Sequence, residues 1–208
     1  IIRLTMDIRN GKSLPLYKGN DVMIVRAGDM DPGMYLWADQ IIVGKNDTRR
    51  SINSQMRQVL FDVEDEKPIE GDKVICLRNS WETINEVGDV LVNGLSGTIS
   101  NINYNNYNPF LKPMMLADFI PDDYDELDEE FSFGDLYFRQ LNIDYKLLTT
   151  GEPTVNEKNF KRFPKGVKPL TFDYGYCITC HKSQGSEYDK VLVFEEHLKD
   201  SQHARWLY

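Results

Sequence analysis

The stretch QIIVGKNDTRRSINSQMR, residues 40–57, sets the class of fold. Gln40 to Gly44 centres on an unbroken apolar run, the pattern of a short strand buried in a parallel sheet. Asp47 or Thr48 can then cap a helix that runs to about Leu60. Helical spacing turns Ile52, Met56, Val59 and Leu60 inward and leaves the arginines elsewhere. A buried strand leading straight into an amphipathic helix predicts an α/β unit.

On the N-terminal side, residues 1–11 predict a helix with Ile1, Leu4 and Ile8 on one face and Asn10-Gly11 as its stop. DVMIV, residues 21–25, predicts a short strand. On the C-terminal side the texture changes after Pro68. Short β-like pieces follow at 73–77, 89–92, 97–102, 133–138 and 145–148, separated by Gly and Asn turns such as Asn93-Gly94. Their spacing predicts a small barrel or sandwich inserted into a larger fold. The apolar strand pattern returns in KPLTFDYGYCITC, residues 168–180, and in DKVLVF, residues 189–194, and a helix is expected from Ser201 onward. The expected organisation is a discontinuous α/β domain, 1–70 with 165–208, carrying a β-rich insertion at 71–164.

Composition narrows the classes. The chain has 208 residues, 41% of them hydrophobic and 12% aromatic, values of an ordinary globular protein. No apolar run is long enough to span a membrane, and Ile1-Ile2-Arg3 does not open a signal peptide. The absence of an initiator Met suggests an internal piece of a longer polypeptide. Three cysteines make no disulfide framework, which points to a reducing cytoplasm. The net charge of −9 argues against a nucleic-acid partner, but it is unevenly spread. DDYDELDEE, residues 122–130, holds seven carboxylates in nine positions, while RNGK, NDTRRSINSQMR, KRFPKGVK and CHKSQG are neutral or basic.

Two motifs mislead. Gly11-Lys12-Ser13 imitates the end of a phosphate-binding loop, but that pattern needs Gly where Met6 stands and a strand where a helix is expected. Cys177-Ile-Thr-Cys180-His181 fits the attachment pattern of a c-type haem, yet nothing signals export. Zinc wants a fourth ligand beside Cys177, Cys180 and His181. A redox pair wants its cysteines at a helix N-terminus after a strand. Strand alternation instead makes both thiols small packing residues. The segment after the cysteines is denser chemically. Thr179 to Glu187 sets hydroxyls, an imidazole, an ammonium, an amide and a carboxylate directly after an apolar strand, where an open α/β sheet binds ligands. Thr, Ser, Lys and backbone donors suit phosphates, and Glu187 can accept hydrogen bonds from ribose hydroxyls.

Residues 176–191, YCITCHKSQGSEYDKV, resemble motif V of superfamily 1 DNA helicases of the RecD/Dda-like branch, whose form is close to Y-A-x-T-x-H-K-x-Q-G-x-E-F. Two further segments agree in order. Residues 38–50 with Asn53 and Arg57 resemble the strand-to-helix segment called motif IVa. Gly71-Asp72-Lys73-Val74, Asn79 and Asn93-Gly94 to Ile99 resemble the entry into the family's SH3-like insertion.

The resemblance implies a RecA-like (P-loop NTPase-type) second motor domain with an inserted SH3-like β-barrel. It implies a C-terminal motor-domain piece of an ATP-dependent DNA helicase moving 5′ to 3′ on single-stranded DNA, in recombination, repair or replication. ATP and Mg²⁺ belong to the whole enzyme. The phosphate-binding lysine and Mg²⁺ carboxylates would lie in a first RecA-like domain, and the arginine finger in a motif VI beginning near residues 204–208. These residues alone are therefore expected not to hydrolyse ATP. Carried over by position, Gln184, Gly185 and Glu187 face the nucleotide, while Asn46, Thr48, Arg49, Thr179, His181 and Lys182 face DNA. No metal ligand and no catalytic residue is assigned. Expected partners are single-stranded DNA, the N-terminal RecA-like domain and nuclease or other recombination subunits, without a membrane. Tyr104, Tyr107 and Phe110 have two readings, stacking on bases or packing. A non-enzymatic nucleic-acid-binding or partner-docking module is the competing function.

Overall fold

The computed structural model describes residues 2–63, 67–104, 114–122, 131–152 and 169–196. Tyr107, Phe110, nearly all of the acidic run and everything from 197 onward, including the expected C-terminal helix, lie outside the described residues. In chain order the elements open with α1 (Ile2–Arg9), β1 (Tyr17–Lys18), β2 (Met23–Ile24), α2 (Met34–Trp37), β3 (Gln40–Val43) and α3 (Asn46–Phe61). Then come β4 (Lys73–Cys76), β5 (Ser80–Ile84), β6 (Val90–Leu91), β7 (Ser96–Asn103), β8 (Met114–Pro121), β9 (Phe138–Asp144) and α4 (Tyr145–Thr150). The chain closes with β10 (Phe172–Tyr174), β11 (Cys177–Thr179), α5 (Cys180–Ser183) and β12 (Val191–Val193). The molecule is mixed α/β. It divides into two units, Ile1–Met56 with Cys177–Tyr208, and Arg57–Tyr176.

The first unit holds a three-stranded parallel sheet in the order β11-β3-β12. Ile41 and Val43 of the central strand are buried, together with Cys177 and Ile178 of β11. This is the setting that the apolar run at 40–44 predicted. The helix α3 buries Ile52 and Met56 as expected, but Val59 is 65% and Leu60 45% exposed. Asn53 and Arg57 are buried instead, at 2% and 4% exposure. Both polar side chains are satisfied, which is the condition for burying them. Asn53 donates Nδ2–H to the Cys177 carbonyl (3.1 Å) and accepts from the Cys177 N–H (2.7 Å), so one amide imitates a ladder pair. At the other end of the chain, α1 buries Ile8 and stops at Gly11, whose φ of +71° fits the glycine stop rather than a phosphate loop.

The second unit is built on a five-stranded antiparallel sheet, β10-β4-β7-β8-β9, with a separate β5-β6 ribbon. Phe119 packs against Phe138 and Phe172 in its core, ring centroids 6.1 and 5.1 Å apart. Gly97 is needed for close approach: a Cβ there would fall 2.1 Å from the Ile120 carbonyl on the neighbouring strand. Asn101 and Gln140 adopt left-handed backbone, φ +50° and +54°, at bulges on either side of β8. Buried Asp118 holds both, accepting from Asn101 Nδ2 and from the Gln140 N–H at 2.7 Å each. A β-rich unit is present as expected, but as an open sheet. One bridge, Ile143 to Leu170, joins β9 to the segment before β10, and no continuous ladder closes a barrel among the described residues.

Two β expectations in this unit fail. Residues 133–136 form a single 3-10 turn, because Ser132 and Asp135 cap it reciprocally. Residues 145–150 form α4, ended by Gly151 at φ +72°. The stretch KPLTFDYGYCITC is two strands. Phe172–Tyr174 pairs antiparallel with β4 in the second unit, whereas Cys177–Thr179 pairs parallel with β3 in the first.

A polar network occupies the start of the second unit. Fully buried Asp72 accepts from Arg57 Nε at 2.8 and 3.1 Å, from the Tyr176 hydroxyl at 3.0 Å and from the Ile69 N–H at 2.8 Å. Arg57 also donates to the Lys67 carbonyl (2.6 Å) and lies over the Tyr174 ring. Burial opposes the charge on Arg57, but the hydrogen bond and charge of Asp72 raise its pKa above the usual value. Tyr104 packs by its hydroxyl on the Pro68 carbonyl and edge-on to Tyr145, so of its two readings the structure shows packing.

Candidate functional site: the carboxyl edge of the parallel sheet

Parallel pairing puts the carboxyl ends of the three strands of the β11-β3-β12 sheet on one edge. Thr179 lies in register with Val43, and Val193 with Ile42, so the residues that follow each strand emerge together. After β3 come Gly44, Lys45, Asn46, Thr48 and Arg49. After β11 come Cys180, His181 and Lys182, on the single turn of α5, which packs against β11 and β3. After β12 comes Glu196. The six positions assigned to DNA are therefore gathered on this edge from two separate parts of the chain.

Glu196 is the residue that sequence reasoning missed. Its carboxylate accepts from the N–H groups of Gly44 and Lys45, both at 2.8 Å, and from the Thr48 hydroxyl. A carboxylate there answers the unpaired N–H groups and the positive dipole end of the 16-residue α3. The helix starts at Asn46, slightly before the expected cap, because the capping anion comes from Glu196 and not from Asp47, which pairs with Arg50 (3.3 Å). The available signal was positional: Glu196 stands just beyond an apolar strand, as the residues after Val43 and Thr179 do.

The remaining assigned residues differ in exposure. Asn46 and His181 are exposed, while Thr48, Arg49, Thr179 and Lys182 are half-buried. Thr179 precedes α5 without using its hydroxyl as a cap. The α5 turn ends at Gln184, and Gln184, Gly185 and Glu187 lie exposed on the following loop. Gly185 has φ +88°, a backbone that favours glycine. Hydroxyl, imidazole, amide, ammonium and guanidinium groups on one edge are the donors that hold phosphates.

The cysteines do not form a reactive pair. Cys177 is buried in β11, and burial pushes its thiol up to about 12, against a lowering by Arg49 and with a smaller rise from Glu196. Cys180 was expected on the strand; it starts α5 instead, half-buried, with its Sγ 3.4 Å from His181 Nδ1. Burial raises its pKa as well. Activated thiols need the opposite shift. Among the described residues no group of three or more His, Cys, Asp or Glu side chains could hold a metal ion, and no helix is long and apolar enough to cross a membrane.

Residues 174–208 match the family model of the UvrD-like helicase C-terminal domain, which supports a helicase C-terminal region for this part of the chain. Among solved structures, the crystal structure of Pif1 helicase from Candida albicans is similar at 14% identity and a TM-score of 0.45, covering 99% of this chain and 49% of that one. The chain spans about half the length of that neighbour. No curated protein matches.

Proposed function

We propose that the chain is the C-terminal motor region of an ATP-dependent superfamily 1 DNA helicase of the RecD/Dda-like branch. Its first unit is the RecA-like second motor domain, and its second is the SH3-like insertion. The observation that carries this reading is the joint emergence of Asn46–Arg49 and Thr179–Lys182 on one sheet edge, within and beside a segment that matches a helicase C-terminal domain. On this reading, that edge tracks the sugar-phosphate backbone of single-stranded DNA. Thr179 and Asn46 donate to phosphate oxygens beside Thr48, whose own hydroxyl donates to Glu196, while Arg49 and Lys182 add positive charge and the His181 ring adds a further polar contact. Each cation engaged releases counterions, so affinity falls steeply with salt, by a log–log slope of roughly 0.7 per phosphate neutralised.

The nucleotide falls to the next loop. The exposed carboxylate of Glu187 suits ribose hydroxyls, and Gly185 leaves the loop open for a sugar to approach. Bound ATP supplies the free energy of phosphoryl transfer. This chain's residues hold the sugar edge and link it, through α5, to the neighbouring DNA edge. Movement is 5′ to 3′, the compartment is the cytoplasm, and the first RecA-like domain of the same polypeptide closes the nucleotide site.

The experiment is DNA-stimulated ATP turnover by the full-length protein. Glu187→Ala is expected to lower turnover at least tenfold while leaving the melting temperature within a few degrees. Unchanged turnover would remove the ribose role, and a parent protein without DNA-stimulated ATP hydrolysis would refute the motor reading.

A further inference from the structure

The start of α3 already holds an anion of the protein's own. Both oxygens of the Glu196 carboxylate are engaged there. One accepts from the Gly44 and Lys45 N–H groups at 2.8 Å each, and the other accepts from the Thr48 hydroxyl. Two adjacent backbone N–H groups, a threonine hydroxyl and the positive end of a 16-residue helix make a donor set that takes a phosphate. A carboxylate fills it with the same kind of charged oxygens, so Glu196 and a phosphate cannot use these donors together.

Three observations separate this contact from an ordinary helix cap. An ordinary cap is the residue just before the helix, whereas Glu196 stands 148 residues beyond Thr48. The acid at hand in the first turn, Asp47, is left to solvent, its side chain 97% exposed. Glu196 also lies only half-buried, past the end of β12 and outside any helix or strand, so it can leave the donors without breaking a ladder.

We propose that Glu196 is an autoinhibitory anion, which competes with a phosphate of the DNA strand for the N-terminus of α3 and so keeps the grip of this edge weak. This role rests on the DNA reading of the edge and adds a control to it. While the carboxylate is in place, Gly44, Lys45 and Thr48 are withheld, and a strand crossing the edge meets a like charge at that point. Once the carboxylate swings away, the same three groups donate to a phosphate oxygen. A protein that moves along a strand has to release each phosphate after taking it. Donors left unpaired at that moment oppose release, and the returning Glu196 carboxylate satisfies them again.

The test is fluorescence anisotropy of a fluorescein-labelled ten-nucleotide oligo(dT) titrated with the full-length protein in the absence of ATP. Glu196→Ala and Glu196→Gln are each expected to bind at least threefold tighter than the wild type, with a log–log salt slope steeper by roughly 0.7 for the phosphate gained. Glu195→Gln removes the same charge from the adjacent exposed position and is expected to change binding less than twofold. Adding Thr48→Val to Glu196→Ala is expected to take back at least half of the gain, because the hydroxyl released by Glu196 is then missing. A variant that only loosens the helix binds more weakly, so the direction of the change separates the two roles. Unchanged or weaker binding by both Glu196 variants, or equal tightening by Glu195→Gln, would overturn the proposal and leave Glu196 as a cap. No binding of oligo(dT) by the wild type or any variant would overturn the DNA reading of the edge, and this role with it.

Discussion

Replacing Asp72 by Ala removes the acceptor on which Arg57 Nε, the Tyr176 hydroxyl and the Ile69 N–H converge. Arg57 is 4% exposed and cannot turn to water, so the change strands a buried guanidinium. Breaking one partner of such a pair costs about 3–5 kcal/mol. For a chain of this size that lowers the melting temperature by roughly 2–4 °C per kcal/mol, or ~6–20 °C in all. Asp72→Asn is expected to cost nearly as much despite its matching shape. Both carboxylate oxygens accept from N–H or O–H groups, so either orientation of the amide sets an NH₂ against donors. The double variant Arg57→Met with Asp72→Leu is expected to recover much of the loss, because no charge is left uncompensated. Urea unfolding of the single and double variants, followed by circular dichroism, closes the cycle. The double is expected to cost less than the sum of the singles by at least ~2 kcal/mol. A loss below ~1 kcal/mol for Asp72→Ala, or simple additivity, would refute the reasoning.

Other outcomes concern the first unit. Asn53→Ala leaves both polar groups of the buried Cys177 peptide unpaired and is expected to cost about 2–4 kcal/mol, measured by urea unfolding. Glu196→Ala removes the anion at the start of α3 and is expected to cost about 1–2 kcal/mol, with faster hydrogen exchange confined to residues 44–49. Cys177 has its pKa raised from 9.0 to about 12, so its folded form holds a proton that the unfolded chain gives up. The stability it contributes is therefore complete below pH 9 and is lost as pH rises toward 12, and Cys177→Ala is expected to flatten that decline in stability measured against pH. The same burial predicts that Cys180 reacts with a thiol reagent in the native protein well before Cys177.

Periodicity carried the first unit well. The run at 40–44 and the helix after it were legible because apolar spacing reports burial directly, and the parallel sheet followed from a strand apolar throughout. Periodicity also misjudged the far end of that helix. Hydropathy alone places Val59 and Leu60 inside and Arg57 outside, whereas Arg57 is buried because Asp72, 15 residues on, neutralises it. The β-rich stretch failed through local signals: Ser132 with Asp135, and Gly151, decide for a turn and a helix where short apolar and aromatic pieces between turn residues suggested strands.

The α/β class, the strand-to-helix turn at 44–49, the packing role of Cys177 and the polar segment after Thr179 were all readable from neighbours along the chain. Only the tertiary structure decided that these two segments share one edge, and that Glu196 reaches across to cap α3. It also decided that KPLTFDYGYCITC is divided between two sheets. Those depend on which strands pair and in what register, and a pairing between residues far apart in the chain leaves no trace in local spacing.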